Sequence, residues 1–311
     1  MSEDELRADL ARFLGFGAPP ARVSSRERTR TPREGYEEIR LDFAAEGAQP
    51  IPALMLVPAV HPVVGGVLIQ HQHASEWHWG KSEVAGLVGN PLQAFGPVLA
   101  RRGWVVLAPD AIGFEDRRAH VCGIERGSGN TDWLNHFNAM AHRLVQGDML
   151  MRCVLVDAAA ALTLLSERAE LAGRPIGTLG HSMGGNTALF HAAVDQRVQF
   201  ACASGAACSY RHKLAAGTGI EMSEILPGFA SHWDIEDLIR ATAPRPLLLL
   251  SATNDPYSAD ADDIEQRARG AYEARGESAA FVHLRDGGSH EMTQERFTQI
   301  VDWIARQAEK N

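Results

Sequence analysis

The tightest constraint on the fold of this chain is the run Gly180-His181-Ser182-Met183-Gly184-Gly185, a serine flanked by glycines where two apolar segments meet. Residues 174–179 before it, Arg-Pro-Ile-Gly-Thr-Leu, read as a short buried strand, and residues 186–194 after it, rich in Ala, Leu and Phe, read as a helix. Strand, sharp turn and helix are the setting in which G-x-S-x-G forms a nucleophile elbow. A serine at the tip of such a strained turn holds its Oγ above the end of the sheet, and small neighbours let the two arms approach. A glycine-rich turn that merely contains a serine fits the same five letters; the strand before and the helix after favour the elbow.

The rest of the chain supplies a sheet for that turn. From residue 63 onward, apolar runs at 63–70, 104–109, 176–179, 198–203, 246–251 and 279–284 alternate with helical patterns at 91–102, 143–168, 186–194, 234–241, 260–275 and 294–307. This alternation predicts an α/β fold whose mostly parallel sheet is covered by helices on both faces. Ahead of it, 36–43 and 51–57 read as an antiparallel edge pair, which brings the expected sheet to about eight strands. Residues 4–14 carry Leu6, Leu10, Phe13 and Leu14 on one helical face, for packing on the body or on a partner. Residues 22–33, basic and interleaved with Ser, Thr and Glu, read as a solvated linker. The expected organisation is an N-terminal helix and linker over 1–34, then a single domain over 35–311. Two long connections, 111–142 and 205–233, leave strand C-terminal ends, where open α/β sheets bind ligands, and are expected to wall the site as small lid-like insertions.

Acidic residues exceed basic ones by 39 − 30 = 9, which argues against nucleic acid or an anionic membrane as partner. Cys122, Cys153, Cys202 and Cys208 form no C-x-x-C pair and read as reduced thiols. The N-terminus is acidic and lacks an apolar core of signal-peptide length, and no stretch reaches membrane-span length, so a cytoplasmic protein, monomer or homodimer, is expected.

A serine hydroxyl needs a base, and the base needs an orienting group. Asp255 follows the apolar strand 246–251, and His290 follows the next strand on a loop after two glycines. The chain order Ser182, Asp255, His290 is one that serves this chemistry. Asp260, Asp262 and Asp263 read instead as the first turn of a helix, where acids complement the dipole, and His283 lies within a strand pattern. Charge developing on a carbonyl oxygen calls for two N–H donors: Met183, directly after the serine, and His73 on the loop after strand 63–70, with Gln72 as the alternative. His71, His73 and His78 with Glu76 also suit zinc. With no second ligand cluster, and a serine site already accounting for the loop, the expectation is no metal and no cofactor. Gln72, Trp77, Trp133, Phe229 and Trp233 fall in the expected walls, and the aromatic enrichment there suggests a pocket for a bulky apolar acyl or alcohol group.

With these residues in hand, the chain resembles the α/β-hydrolase superfamily, and more narrowly its dienelactone-hydrolase-like and acetyl-xylan-esterase-like serine esterases. The resemblance runs over about residues 63–304. It is carried by Gly180 to Gly185, by residues 105–118 (Val-Val-Leu-Ala-Pro-Asp-Ala-Ile-Gly-Phe-Glu-Asp-Arg-Arg), by Ala243-Pro244-Arg245-Pro246 and by Gly288-Ser289-His290-Glu291. Residues 79–87, Trp-Gly-Lys-Ser-Glu-Val-Ala-Gly-Leu, look like a narrower branch with members that hydrolyse the lactone of macrolide antibiotics. Dienelactone hydrolases proper use cysteine where this chain has Ser182, and His71-Gln72-His73 departs from the family's His-Gly. The resemblance implies hydrolysis of carboxylic esters or lactones, a macrolide among them, through an acyl-enzyme. An acyltransferase on the same residues and a non-catalytic binder of a small-molecule ligand are the alternatives.

Overall fold

The structure is a computed structural model and describes residues 2–309. In chain order its main elements are α1 (Glu3–Phe13), β1 (Val23–Arg33), β2 (Tyr36–Ala45), β3 (Ile51–Pro58), β4 (Gly65–Gln70), α2 (Lys81–Val84), α3 (Phe95–Arg101), β5 (Trp104–Pro109), α4 (Gly129–Val145), α5 (Leu150–Ser166), β6 (Ile176–His181), α6 (Met183–Val194), β7 (Ala201–Ser204), α7 (Tyr210–Ala216), α8 (Ile235–Thr242), β8 (Leu247–Ala252), α9 (Ala261–Glu273), β9 (Phe281–Asp286) and α10 (Gln294–Gln307). The strands form one sheet in the order β1-β2-β3-β5-β4-β6-β7-β8-β9. The first four in that order pair antiparallel and β5 through β9 pair parallel.

Alternation along each strand divides the interior. Leu68, Leu107 and Leu249 face the layer of α1, α5, α6, α8 and α9 with Leu6, Leu155, Leu189 and Ile264. Val67, Ile69, Val106 and Leu250 face α3 and α10 with Phe95, Ile300 and Trp303. Neighbouring residues of one strand thus serve opposite cores, which is why the central strands read as unbroken apolar runs. The helix α1 packs on the body: Leu6 and Leu10 are buried, and the Arg7 guanidinium donates to the carbonyls of Ala241 (Nε 3.1 Å, Nη2 2.9 Å).

The sheet has nine strands rather than eight. The additional one is β1, inside the segment expected to be a linker. Of its side chains only Val23 is buried, so no hydrophobic alternation marks it. Its backbone pairs with β2 from Val23 opposite Ala45 to Arg33 opposite Tyr36, and its charges pair across or along the edge, Arg30 with Glu37 at 2.6 Å and Arg28 with Asp42. Charged side chains and Pro32 on an outer strand are what keeps such an edge from recruiting another chain.

The predicted helix over 143–168 is two helices. α4 begins at Gly129, well inside the expected wall, and α5 leaves it at 106° after a turn at Gly147, whose φ is +77°. Among the described residues no single helix is long and apolar enough to cross a membrane. The four cysteines are unpaired.

Candidate active site

Ser182 stands between β6 and α6 with φ 56° and ψ −125°, a backbone that non-glycine residues adopt only where the surroundings impose it. Its N–H donates to Ser204 O at 2.8 Å, tying the turn to the end of β7. Packing explains the flanking glycines: a Cβ on Gly180 would lie 2.0 Å from Gly184 O, and one on Gly184 would lie 2.0 Å from Gln70 O. Any side chain at either position would push the elbow off the sheet.

The loops leaving β8 and β9 bring two more groups to that serine. His290 Nε2 lies 2.8 Å from Ser182 Oγ, and His290 Nδ1 lies 3.0 Å from each carboxylate oxygen of Asp255. Asp255 is 2% exposed and also accepts from Tyr257 N–H at 2.9 Å and Ser258 Oγ–H at 2.5 Å. Burial pushes its carboxyl upward, but the bonds from His290, Ser258 and Tyr257 outweigh that and hold it below the ordinary aspartate range. An ionised Asp255 accepts from Nδ1–H, which leaves the Nε2 lone pair for the Ser182 proton. The His290 ring stacks on His181 (centroids 5.1 Å apart, 29°) and meets Tyr257 edge-on. Burial, with His290 close by, drives His181 down to about 3, so a neutral imidazole supports His290 from below.

Met183 opens α6, where the first N–H groups lack helical partners and the helix dipole is positive. His73 follows β4 on a loop whose next two residues, Ala74 and Ser75, have φ 47° and 56°, and Ser75 N–H donates to His73 Nδ1 at 2.9 Å. Ser182, His290, Met183 and His73 all line one cavity of about 550 Å³. Trp77 and Trp133 form part of its wall. Its floor is polar: Lys213 Nζ donates to both oxygens of Glu224 at 3.1 Å, and Asn186 Nδ2 donates to Glu224 Oε2 at 2.8 Å.

Three residues expected in the pocket are elsewhere. Phe229 is 0% exposed and packs against Phe13, Phe190, Tyr210 and Trp233, while Trp233 stands edge-on to Phe13 at 5.1 Å. Both anchor α1 to the body instead of facing substrate, because burying aromatic surface under the leading helix is the larger gain. The Gln72 amide donates to both oxygens of Glu83 (3.0 and 3.1 Å), a bond that turns its side chain away from the cavity. The metal grouping weighed from sequence also comes apart. His71 Nε2 accepts Ala111 N–H at 3.0 Å and its Nδ1 donates to Gln72 O at 2.8 Å, so both nitrogens are used. The rivals to the triad are structural: Asp260 accepts Ser209 N–H at 3.0 Å, and His283 bonds Ser251 Oγ at 2.7 Å and Glu265 at 2.6 Å.

Sequence reasoning passed over Asn186, Tyr257 and Glu221. Asn186 lies one helical turn after Ser182 and Tyr257 two residues after Asp255, positions that follow from the triad itself; Glu221 carries no local signal.

Solved proteins of one architecture superpose on this chain over most of its length. A structure described as a "putative acetyl xylan esterase" from Bacteroides fragilis superposes with a TM-score of 0.74 at 17% identity, over 91% of this chain and 74% of that one. The chain has the α/β-hydrolase fold. A glucuronoyl esterase from Solibacter usitatus with this α/β-hydrolase architecture superposes with a TM-score of 0.67 at 14% identity, over 97% of this chain and 91% of that one. In sequence, the chain is 27% identical over 296 residues to the Bacillus subtilis protein "Putative hydrolase YtaP", covering 92% of this chain and 93% of that one. No family model matches the chain.

Proposed function

We propose that this protein is a serine hydrolase of carboxylic esters or lactones, acting through an acyl-enzyme on Ser182. The observation that carries the reading is the continuous bond path from Ser182 Oγ through His290 to a buried, ionised Asp255 beneath a strained elbow. Ser182 Oγ attacks the carbonyl carbon as its proton passes to His290 Nε2, and Asp255 holds the resulting imidazolium. The N–H groups of Met183 and His73 receive the oxyanion. Nε2 then protonates the leaving alcohol, and a water activated by the same nitrogen cleaves the acyl-enzyme. The names of the structural neighbours, acetyl xylan esterase and glucuronoyl esterase, support the ester class, since both describe carboxylic ester cleavage.

Within that class the finer reading is a bulky ester or lactone, a macrolide ring included. A cavity of about 550 Å³ walled by Trp77 and Trp133 supports it. Residues 79–87 do not. Lys81 is buried with its Nζ 2.6 Å from Asp110 and 2.5 Å from Glu115, so this stretch locks the loop after β5 and does not reach the cavity. The test is a panel of short-chain aryl esters, bulky alkyl esters and macrocyclic lactones, with products analysed in the presence and absence of an added alcohol. Release of free acid by the wild type and none by Ser182→Ala is expected; exclusive transfer to the alcohol would make the protein an acyltransferase.

A further inference from the structure

Among the described residues three groups of side chains converge closely enough to hold a metal ion: His73, His136 and Glu221; Asp262, Glu265 and His283; and Asp110, Glu115 and Asp116. Two of the three are already occupied by protein. Lys81 Nζ stands 2.6, 2.5 and 2.7 Å from Asp110, Glu115 and Asp116, filling the place of a cation. His283 spends both nitrogens on Ser251 and Glu265. The first group is different: it joins three segments distant in sequence, and His73 and Glu221 of the three line the cavity that contains Ser182.

We propose that His73, His136 and Glu221 form a binding site for one divalent transition-metal ion of the zinc class, clamping the loop after β4, the helix α4 and the segment after α7. The ligand atoms lie within 4.8 Å of one another. His136 Nε2 and Glu221 Oε1 are 3.3 Å apart, close to the ~3.4 Å separation of two ligands at ~2.1 Å in a tetrahedral site. Glu221 is ready for the role: its other oxygen accepts Ser223 N–H at 2.7 Å, which fixes the carboxylate plane and leaves Oε1 toward the histidines. His136 offers the outer support that metal-bound imidazoles carry. Its Nδ1 and the Gln70 amide nitrogen are both buried without a protein partner, and both residues line a void of about 30 Å³, room for one bridging water.

His73 completes the set at the cost of a tautomer change. Ser75 N–H now donates to His73 Nδ1, which places the ring proton on Nε2. On loading, the proton moves to Nδ1, the ion takes the Nε2 lone pair, and Ser75 N–H, which is exposed, turns to water. Ala74 and Ser75 are held at positive φ, so this loop relaxes as the bond is lost. Two imidazoles and one carboxylate leave a fourth position toward the cavity for water or a polar group of the substrate.

The site uses the His73 side chain, whereas the proposed oxyanion donor is the His73 backbone N–H, and the test keeps the two apart by reading metal binding instead of turnover. Purified protein stripped with chelator is titrated with Zn2+ against a chromophoric chelator and, separately, with Co2+ while the visible spectrum is recorded. One ion per chain is expected, together with the intense visible bands of four- or five-coordinate Co2+. His136→Gln and Glu221→Gln should each weaken binding by roughly 100-fold or more, whereas Ser182→Ala and His290→Ala should leave it unchanged. Thermal melts of stripped protein verify that each variant is folded, and added Zn2+ should raise the melting temperature of the wild type but not of His136→Gln. Absence of stoichiometric binding at 1 mM ion, or binding that survives both substitutions or is lost with His290→Ala, would overturn the proposal.

Discussion

The two sides of the cavity around Ser182 are held by different means. On one side, Ser182, Asp255 and His290 stand on turns that leave β6, β8 and β9, strands buried within two apolar cores, and each is fixed by bonds to residues at most a few positions away in chain or sheet. On the other side, Trp77, Trp133, His73 and Glu221 come from loops and from α4, and what joins them is side chain on side chain, with His73 set edge-on to Trp77, Phe114 and His136. Trp133 is 47% exposed and stacks only on Phe137. On the proposed function, the sheet side would position the reacting atoms and the wall side would select what reaches them.

Substitutions should separate the two sides. The largest effect is expected from Ser182→Ala, which removes the nucleophile and should lower kcat by several powers of ten while the melting temperature is retained, measured on an activated ester. Asp255→Asn should follow, with a loss of about two to four powers of ten in kcat and little change in KM, because His290 loses the partner that sets its tautomer. Phe229→Ala should act on the opposite quantity: about 3–5 kcal/mol of unfolding free energy in a denaturant titration, with kcat/KM of the surviving folded protein within a few-fold of wild type. If that variant instead altered substrate choice without loss of stability, its placement in the core would be wrong. Trp133→Ala, on the exposed wall, should change KM for bulky esters by several-fold, leave small esters unaffected and spare stability.

A last contrast is in pH. Burial holds His71 at about 4, against about 6.5 in an unfolded chain. Between those values the unfolded state binds the additional proton, so this contribution is fully present above about pH 6.5 and is lost as pH falls toward 4. Asp255, held below its ordinary range, gives stability that disappears only at still lower pH. Denaturant midpoints measured from pH 7 to 4.5 should fall for the wild type, and the slope should be shallower by about one proton in His71→Gln.

How far the sequence disclosed this arrangement follows the same division. Ser182, Asp255 and His290 each follow an apolar run, so their places on the turns leaving strands could be read from local pattern, and Gly180 and Gly184 marked the close approach their packing requires. β1 escaped notice because an edge strand with only Val23 buried has no hydrophobic period, and its cross-strand ion pairs depend on a register that no local pattern reports. Phe229 and Trp233 read from sequence as wall residues because aromatic residues in a long loop look alike whether they face a cavity or a helix; their partner Phe13 lies near the other end of the chain. Glu221 and His136 meet only because two insertions fold against each other, which is information of tertiary structure alone.

The central claim, an activated serine at position 182, is tested most directly by labelling purified protein with a fluorophosphonate probe and mapping the adduct by intact and peptide mass, beside Ser182→Ala. One adduct per chain, located on Ser182 and absent from the variant, is the predicted result. A folded wild type that takes no label, or takes it at another residue, would contradict the account.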